Sequence, residues 1–348
     1  MRIFNYELLK KINIDSEMLS LISEIKELKG KQNFFNCLKK AKLDKLIQQA
    51  KIQSIESSNR IEGIVTTEQR INDLYHEKTT PRNRNEEEIM GYRDVLNTIH
   101  ENFEHIPLTT NHILQMHRDL YKFSAGSVGG KYKAVQNYIQ EVDVDGNKRI
   151  RFTPLDAFET PDAIKNICDE YGKAINLHNI EPLVLIPVFI LDFLCVHPFA
   201  DGNGRMSRLL TLLLLYKSGF TVGKYISHEK LIESKKDKYY DTLQASSTKW
   251  HEDENDVLPF VKYMLQIIVA AYRDFEQRVL TVAEKKLTKA DQIKELFNTH
   301  LGKLSKAEIK KLLPDISEPM IERTLRELVA NRTIKKVGAG KNTTYVKS

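Results

Sequence analysis

Three cysteines in 348 residues are too few, and odd in number, for a disulfide framework. Cys37, Cys168 and Cys195 lie in helical or apolar surroundings and no CxxC occurs, which fits a reducing, cytoplasmic setting. The N-terminus, Met1 to Glu7, lacks the apolar stretch of a signal peptide. Pro187 and Asp192 interrupt the longest apolar run, so no membrane span is expected. Metal-binding patterns are missing too. His112 and His117 are five apart, the wrong spacing to share an ion on one helix face. The stretch 143–147 lacks the twelfth-position Glu of a calcium loop, because Pro154 stands there. Gly338-Ala339-Gly340-Lys341 has neither the spacing nor the strand-to-helix setting of a P-loop.

What is present has an ordinary globular composition, 41% hydrophobic and 29% charged, with length enough for two or three domains. The net charge of +6 is uneven. Residues 285–348 hold 15 Lys+Arg against 7 Asp+Glu, leaving 38 against 40 elsewhere, so the basic excess is all in the tail. Residues 8–61 read as helical with Gly30 as the one break, and a helix from about residue 38 stops at Gly63, a residue suited to the left-handed terminating position. The polar linker 78–85 predicts a boundary, giving an N-terminal helical region over 1–84 and a central domain over 85–280. Helices are expected from Glu86, from Thr109 or Thr110 (Ile113, Met116, His117 and Leu120 on one face) and over 162–176. In the tail, 285–348, helices are expected over 292–298, 305–313 and 317–331, the last two capped by Ser305 and Ser317, then a hairpin over 333–346.

One polar dozen stands between two apolar runs: His197-Pro198-Phe199-Ala200-Asp201-Gly202-Asn203-Gly204-Arg205-Met206-Ser207-Arg208. Flanking segments this apolar read as buried helices, so the loop is anchored from inside the core. Its residue types suit phosphate. Gly202, Asn203 and Gly204 open a helix whose free N–H groups and dipole favour an anion. Arg205 and Arg208 share one face of its first turn, where cations oppose the dipole unless an anionic ligand joins them. Asp201 is a hard oxygen donor fit for Mg²⁺ carried mainly by phosphates. His197 is placed to take a proton from a hydroxyl nucleophile near neutral pH.

The dozen matches, position for position, the H-P-F-x-[D/E]-G-N-G-R-x-x-R signature of the Fic family (filamentation induced by cAMP), and a looser resemblance covers about residues 85–275. The resemblance implies a mainly α fold: a Fic-type helical core with a small β-hairpin flap, followed here by a winged-helix-like domain. It implies transfer of AMP from ATP to Tyr, Thr or Ser hydroxyls of target proteins, and of the chain itself, with His197 as base. ATP would lie over Gly202, Asn203, Gly204, Arg205 and Arg208, with Mg²⁺ on Asp201. The flap, assigned to about 131–153 with Asp145-Gly146 as its turn, would dock the target by strand pairing.

Ser58-x-x-x-Glu62-Gly63 is similar to the inhibitory motif of many Fic proteins. By that resemblance Glu62 would reach Arg208 in place of the ATP γ-phosphate, or orient a water for removing AMP. Tyr239-Tyr240-x-x-Leu243 resembles a helix bordering the adenine, which makes Tyr240 a nucleotide contact or, read plainly, a core tyrosine. Some Fic relatives carry Asn where Ser247 stands here. Arg323, Arg326, Arg332, Lys335, Lys336 and Lys341 would serve DNA binding or a solvated protein-docking face equally. The resemblance also admits a homodimer. Its rivals are a transferase of another moiety, a de-AMPylating enzyme and a DNA-binding regulator.

Overall fold

The computed structural model describes residues 4–38, 40–124, 129–142, 148–177, 180–284, 289–299, 302–331, 333–338 and 343–347. The fold is mainly helical, as expected, in two compact units, Met1–Arg278 and Val279–Ser348. The first opens with two long helices, α1 (Ser16–Leu38) and α2 (Lys40–Ile61), then α3 (Glu68–Tyr75), α4 (Arg84–Asn102) and α5 (Thr110–Leu120). A hairpin of β1 (Ile139–Val142) and β2 (Lys148–Phe152) follows, antiparallel, with Ile139 opposite Phe152 and Val142 opposite Lys148. Helices α6 (Thr160–Asn176), α7 (Pro182–Val196), α8 (Asn203–Lys217), α9 (His228–Glu233), α10 (Lys236–Ser247) and α11 (Leu258–Glu284) complete the set.

Helices α7 and α8 pack on each other at the centre of this unit. Every residue from Leu183 to Val196 is buried, as a helix apolar all round must be. Burying one such Leu or Ile side chain contributes about 1.5–3 kcal/mol, so this pair is the rigid frame of the unit. Asp192 is the one carboxylate within α7, and it is buried with both oxygens used. Tyr6 Oη donates to Oδ2 at 2.9 Å and Trp250 Nε1 to Oδ1 at 2.7 Å. The N-terminal segment and the turn after α10 therefore converge on the middle of the core.

Helix α2 lies against α9, α4 and α8 through a partly polar seam. Ser54 Oγ donates to Glu229 (2.7 Å), Ser57 Oγ to Glu233 (2.7 Å), and Lys236 Nζ caps the Ile61 carbonyl (2.8 Å). The linker around residue 84 thus joins parts of one folded unit and divides nothing. Three local differences from the sequence reading have plain causes. Helix α1 runs through Gly30, a glycine costing only about 1 kcal/mol in a helix held by its neighbours. Helix α3, capped by Thr67, is too short to announce itself by periodicity. The hairpin is shorter than 131–153, and its expected turn at Asp145-Gly146 lies outside the described residues.

The second unit contains α12 (Lys289–Thr299), β3 (Leu304–Ser305), α13 (Lys306–Leu312), α14 (Glu318–Ala330), β4 (Ile334–Val337) and β5 (Thr344–Lys347). Its sheet is antiparallel in the order β3-β5-β4. Ile293, Phe297, Ile309, Ile321, Leu325 and Tyr345 form its core. The three helices and the hairpin are those expected; the two-residue strand β3 is too short to show alternation. Ser305 caps α13 in a reciprocal capping box with Glu308, whereas Ser317 precedes α14 without a side-chain cap bond. Among the described residues no helix is long and apolar enough to cross a membrane.

Candidate active site

The polar dozen leaves α7 at His197, which ends that helix in a left-handed conformation (φ 49°), and enters α8 through Gly202, also left-handed (φ 83°). Two clips shape the loop between them. Asn203 folds its amide back on Phe199, accepting from its N–H at 2.9 Å and donating to its carbonyl at 2.8 Å. His117 of α5 stacks on the Phe199 ring at 3.6 Å and binds the Asp201 carbonyl through Nε2 at 3.0 Å, while its Nδ1 accepts from Gly130 N–H. The Asn203 side chain thus shapes the loop, and its backbone stands in the first turn of α8.

The two arginines separate. Arg205 is fully buried away from the cavity described below, with Nη2 2.7 Å from Glu88 of α4 and donating to Tyr121 Oη at 2.7 Å. Its Nε and Nη1 have no hydrogen-bond partner among the described residues. Arg208 faces α2. Its Nε donates to Ser58 Oγ (2.9 Å), and its Nη2 to the Ser58 carbonyl (2.9 Å) and to Glu62 Oε1 (2.8 Å). Glu62 is aimed by the end of its helix: Gly63 takes the left-handed φ of 79° expected, Gly63 N–H bonds the Arg60 carbonyl and Ile64 N–H the Asn59 carbonyl. That is a Schellman stop, which fixes the exit of the chain. The same carboxylate also covers the start of α8, since a Cβ built on Gly204 would overlap Glu62 Oε1. An oxygen anion therefore occupies the helix N-terminus.

A cavity of about 800 Å³ opens beside this contact, lined by His197, Gly204, Arg208 and Glu62 at one end. Its remaining wall comes from the hairpin and from α10, including Ile139, Phe152, Tyr240 and Gln244, with Cys195 and Ser247. Arg151 of β2 ties hairpin to helix, donating to Gln244 Oε1 (2.8 Å) and to the Tyr240 carbonyl, its guanidinium 5.4 Å from the Tyr240 ring. Tyr240 is thus a half-buried wall residue, while its neighbour Tyr239 goes into the core. A two-stranded hairpin leaves the outer edge of each strand without a sheet partner among the described residues, and Tyr138, before β1, and Ile150, in β2, are exposed.

His197 Nδ1 sits 3.2 Å from the Leu194 carbonyl. A carbonyl only accepts, so Nδ1 carries the proton and Nε2 keeps the lone pair. Burial lowers the imidazole pKa to about 4, the Lys133 charge adding to the effect and the Leu194 bond opposing it. Asp201 is half-exposed, with Oδ1 on Gly202 N–H (2.6 Å) and Oδ2 3.4 Å from Arg84. No group of three or more His, Cys, Asp or Glu able to hold an ion exists among the described residues. One accessible carboxylate fits only a cation that brings phosphate oxygens as its other ligands.

Lys133, Glu88, Tyr121 and His117 all support the site, and the sequence reading assigned none of them to it. Each acts across 60 or more residues of chain. Only their burial distinguishes them, and burial is a property of the fold.

The sequence pattern of the Fic/DOC family matches residues 107–215. The protein adenylyltransferase fic-1 of Caenorhabditis elegans is 27% identical over 192 residues, 53% of this chain and 33% of that protein, so the chain spans about a third of the length of such curated relatives. A Fido domain-containing protein of Dictyostelium discoideum is 31% identical over 112 residues, 31% of this chain and 76% of its own length. Among solved structures, a Fic family protein from Desulfovibrio desulfuricans superimposes with a TM-score of 0.63 at 19% identity over 97% of both chains. Fic-1 from C. elegans does so with a TM-score of 0.61 at 20% identity, over 75% of this chain and 72% of that one. The last two likenesses are of fold. With the loop between α7 and α8 and a Fido relative covered over three quarters of its length, the chain belongs to the Fic/DOC family, as a distant relation of the Fic-1 protein adenylyltransferases.

Proposed function

We propose that the chain transfers AMP from ATP to a hydroxyl of a target protein and that Glu62 holds this activity down. The observation that carries the reading is the cavity itself: an unprotonated His197 Nε2, an α8 N-terminus and Arg208 share one end of it, and the anion bound to Arg208 there is the chain's own Glu62. A triphosphate is the ligand that would answer the same groups. Adenine and ribose would lie towards Tyr240 and the hairpin, and the γ-phosphate would take the Glu62 place on Arg208. Mg²⁺, held by Asp201 and the phosphates, would neutralise charge on them.

The chain's own residues account for the rest. The target hydroxyl loses its proton to His197 Nε2 as its oxygen bonds to the α-phosphorus. The bond from that phosphorus to the bridging oxygen of the β-phosphate breaks, pyrophosphate leaves, and the AMP ester remains on the target. The α8 N–H groups stabilise the charge that develops on the α-phosphate. A free hairpin edge suits an extended target segment carrying that hydroxyl.

For the second unit we infer docking to protein rather than reading of DNA. Its longest exposed helix, α14, mixes signs: Arg323 lies 3.9 Å from Glu327, and Glu322 is engaged by Lys306 at 2.6 Å. Lys335 and Lys336 stand exposed on β4, but four residues of edge strand make a small basic patch.

The test is incorporation of label from α-labelled ATP with Mg²⁺ into the chain and into a cell lysate, for the native protein, Glu62→Gly and His197→Ala. Labelling that rises with Glu62→Gly and vanishes with His197→Ala is the expected result. Silence in all three folded, ATP-binding proteins would reject AMP transfer, and equal labelling by native protein and Glu62→Gly would reject inhibition by Glu62.

A further inference from the structure

Lys133 lies in the segment before the hairpin, almost wholly buried, and holds the chain on both sides of His197. Its ammonium donates to the carbonyl of Val196 at 3.1 Å, the residue before, and its backbone N–H donates to the carbonyl of Pro198 at 2.9 Å, the residue after. The other two ammonium donors go to the Leu155 carbonyl (2.6 Å) and Asn137 Oδ1 (3.0 Å), and Asn137 in turn donates to the Phe199 carbonyl at 3.0 Å. All three ammonium hydrogens are therefore used, none of them on a carboxylate.

His197 needs such a grip. A non-glycine residue at φ 49° is strained by roughly 1–3 kcal/mol and persists only where the surroundings fix it. It also stands at the C-terminal end of α7, where the helix dipole favours a protonated imidazole. A cation bonded to the last α7 carbonyl opposes that pull.

From this geometry we infer that Lys133 is a positioning residue for His197: it locks the left-handed turn that aims the imidazole into the cavity, and its charge adds to the burial that disfavours the imidazolium. The charged groups facing His197 are Lys133 from the hairpin base, Glu62 from the end of α2 and Asp201 from the loop. Asp156 is the group acting on Lys133, opposing the burial that lowers its pKa to about 8. Of these only Lys133 disfavours the imidazolium. The value of the role to catalysis rests on His197 being the base; the titration below does not.

The experiment is the titration of His197 by NMR in the full chain carrying ring-labelled histidine, assigned by loss of its signal in His197→Ala. Native protein, Lys133→Met and Lys133→Arg are compared, with AMP transfer measured on each in the Glu62→Gly background. The expected result is a His197 midpoint higher by roughly one pH unit in Lys133→Met, as removal of a nearby partly buried charge gives. Lys133→Arg should keep the midpoint low, and kcat in Lys133→Met should fall with an unchanged KM for ATP. A folded Lys133→Met protein whose His197 titrates as in the native chain would overturn the inference. Should Lys133→Met fail to fold, Lys133→Gln, which keeps N–H donors without the charge, makes the same comparison. Absence of AMP transfer throughout would fall on the proposed function and leave the titration result standing.

Discussion

Glu62 Oε1 lies 2.8 Å from Arg208 Nη2, closing an ion pair between the end of α2 and the first turns of α8 across 146 residues of chain. Arg208 is 5% exposed, so removing its carboxylate leaves a buried cation seeking an anion. Glu62→Gly should therefore bind ATP more tightly and transfer AMP faster, by on the order of tenfold or more, as the loss of an ionic competitor worth more than about 1.4 kcal/mol predicts. Calorimetric ATP affinity and label incorporation together check it; an unchanged affinity would contradict the competition.

A side chain on Gly204 would have to push the Glu62 carboxylate aside. Its Cβ would overlap Glu62 Oε1, at the point where the helix start meets an anion. Gly204→Ala should abolish transfer, and should do so in the Glu62→Gly background as well, because the methyl group would stand in the anion's place whichever anion is present. Transfer restored by combining the two substitutions would show that the methyl group acts only by displacing Glu62.

How far the sequence showed this site depends on how local each feature is. The dozen from His197 to Arg208 is contiguous and its residue types name an anion site unaided. Ser58 to Glu62 is a helix end whose meaning came only from the dozen. Arg205 reads in sequence as a second phosphate ligand because it stands three residues before Arg208; in the fold its Nη2 meets Glu88 and Tyr121 and lies 3.8 Å from Asp201. Asn203 suits a phosphate equally by type, and the Phe199 backbone takes its side chain. Lys133 is invisible in the sequence: a lysine among Lys131, Tyr132 and Ala134 reads as solvent-facing, and nothing local announces that two carbonyls from distant segments join the Asn137 amide to enclose it.

Four histidines whose pKa the fold lowers make stability depend on pH. Burial lowers the pKa of His100 to about 3, of His117 to about 4 and of His197 to about 4, and lowers that of His228 as well. Each is neutral when folded and takes up a proton on unfolding once the pH is below about 6.5, its ordinary value. The unfolded state then binds more protons, so stability rises with pH between about 4 and 6.5 and is lost as the pH falls through that window. The slope should approach about 1.4 kcal/mol per pH unit for each histidine. Urea unfolding at pH 7, 6 and 5 measures it, and a stability independent of pH across that range would contradict the burial of these rings.

The same displacement sets the acid limb of catalysis. With His197 unprotonated down to about pH 4, kcat/KM for transfer should show no loss between pH 7 and 5.5. An acid limb with a midpoint near 6.5 in the pH–rate profile would show an imidazole exposed to water.

Asp192 ties the N-terminal segment to the core, and its two bonds are unequal in what they risk. Tyr6→Phe removes one donor from a buried carboxylate and should cost about 1–3 kcal/mol. Asp192→Ala removes an acceptor from both Tyr6 and Trp250 and opens a void besides, so it should cost more than the tyrosine change. Denaturant midpoints at constant m rank the two; the reverse order would mean the carboxylate is a net burden to the core.

If Glu62 competes with a phosphate as proposed, its attachment to the chain by α2 carries a consequence for how an activator would work. A tethered competitor has an effective concentration set by geometry, so neither dilution nor a modest rise in nucleotide level removes it. That geometry is held by Ser54 and Ser57 on Glu229 and Glu233, outside the cavity lining, and by Lys236 on the Ile61 carbonyl at the cavity wall. A signal that loosened this seam would lower the local supply of carboxylate without entering the cavity, and so would leave the affinity of the freed site for its substrate intact.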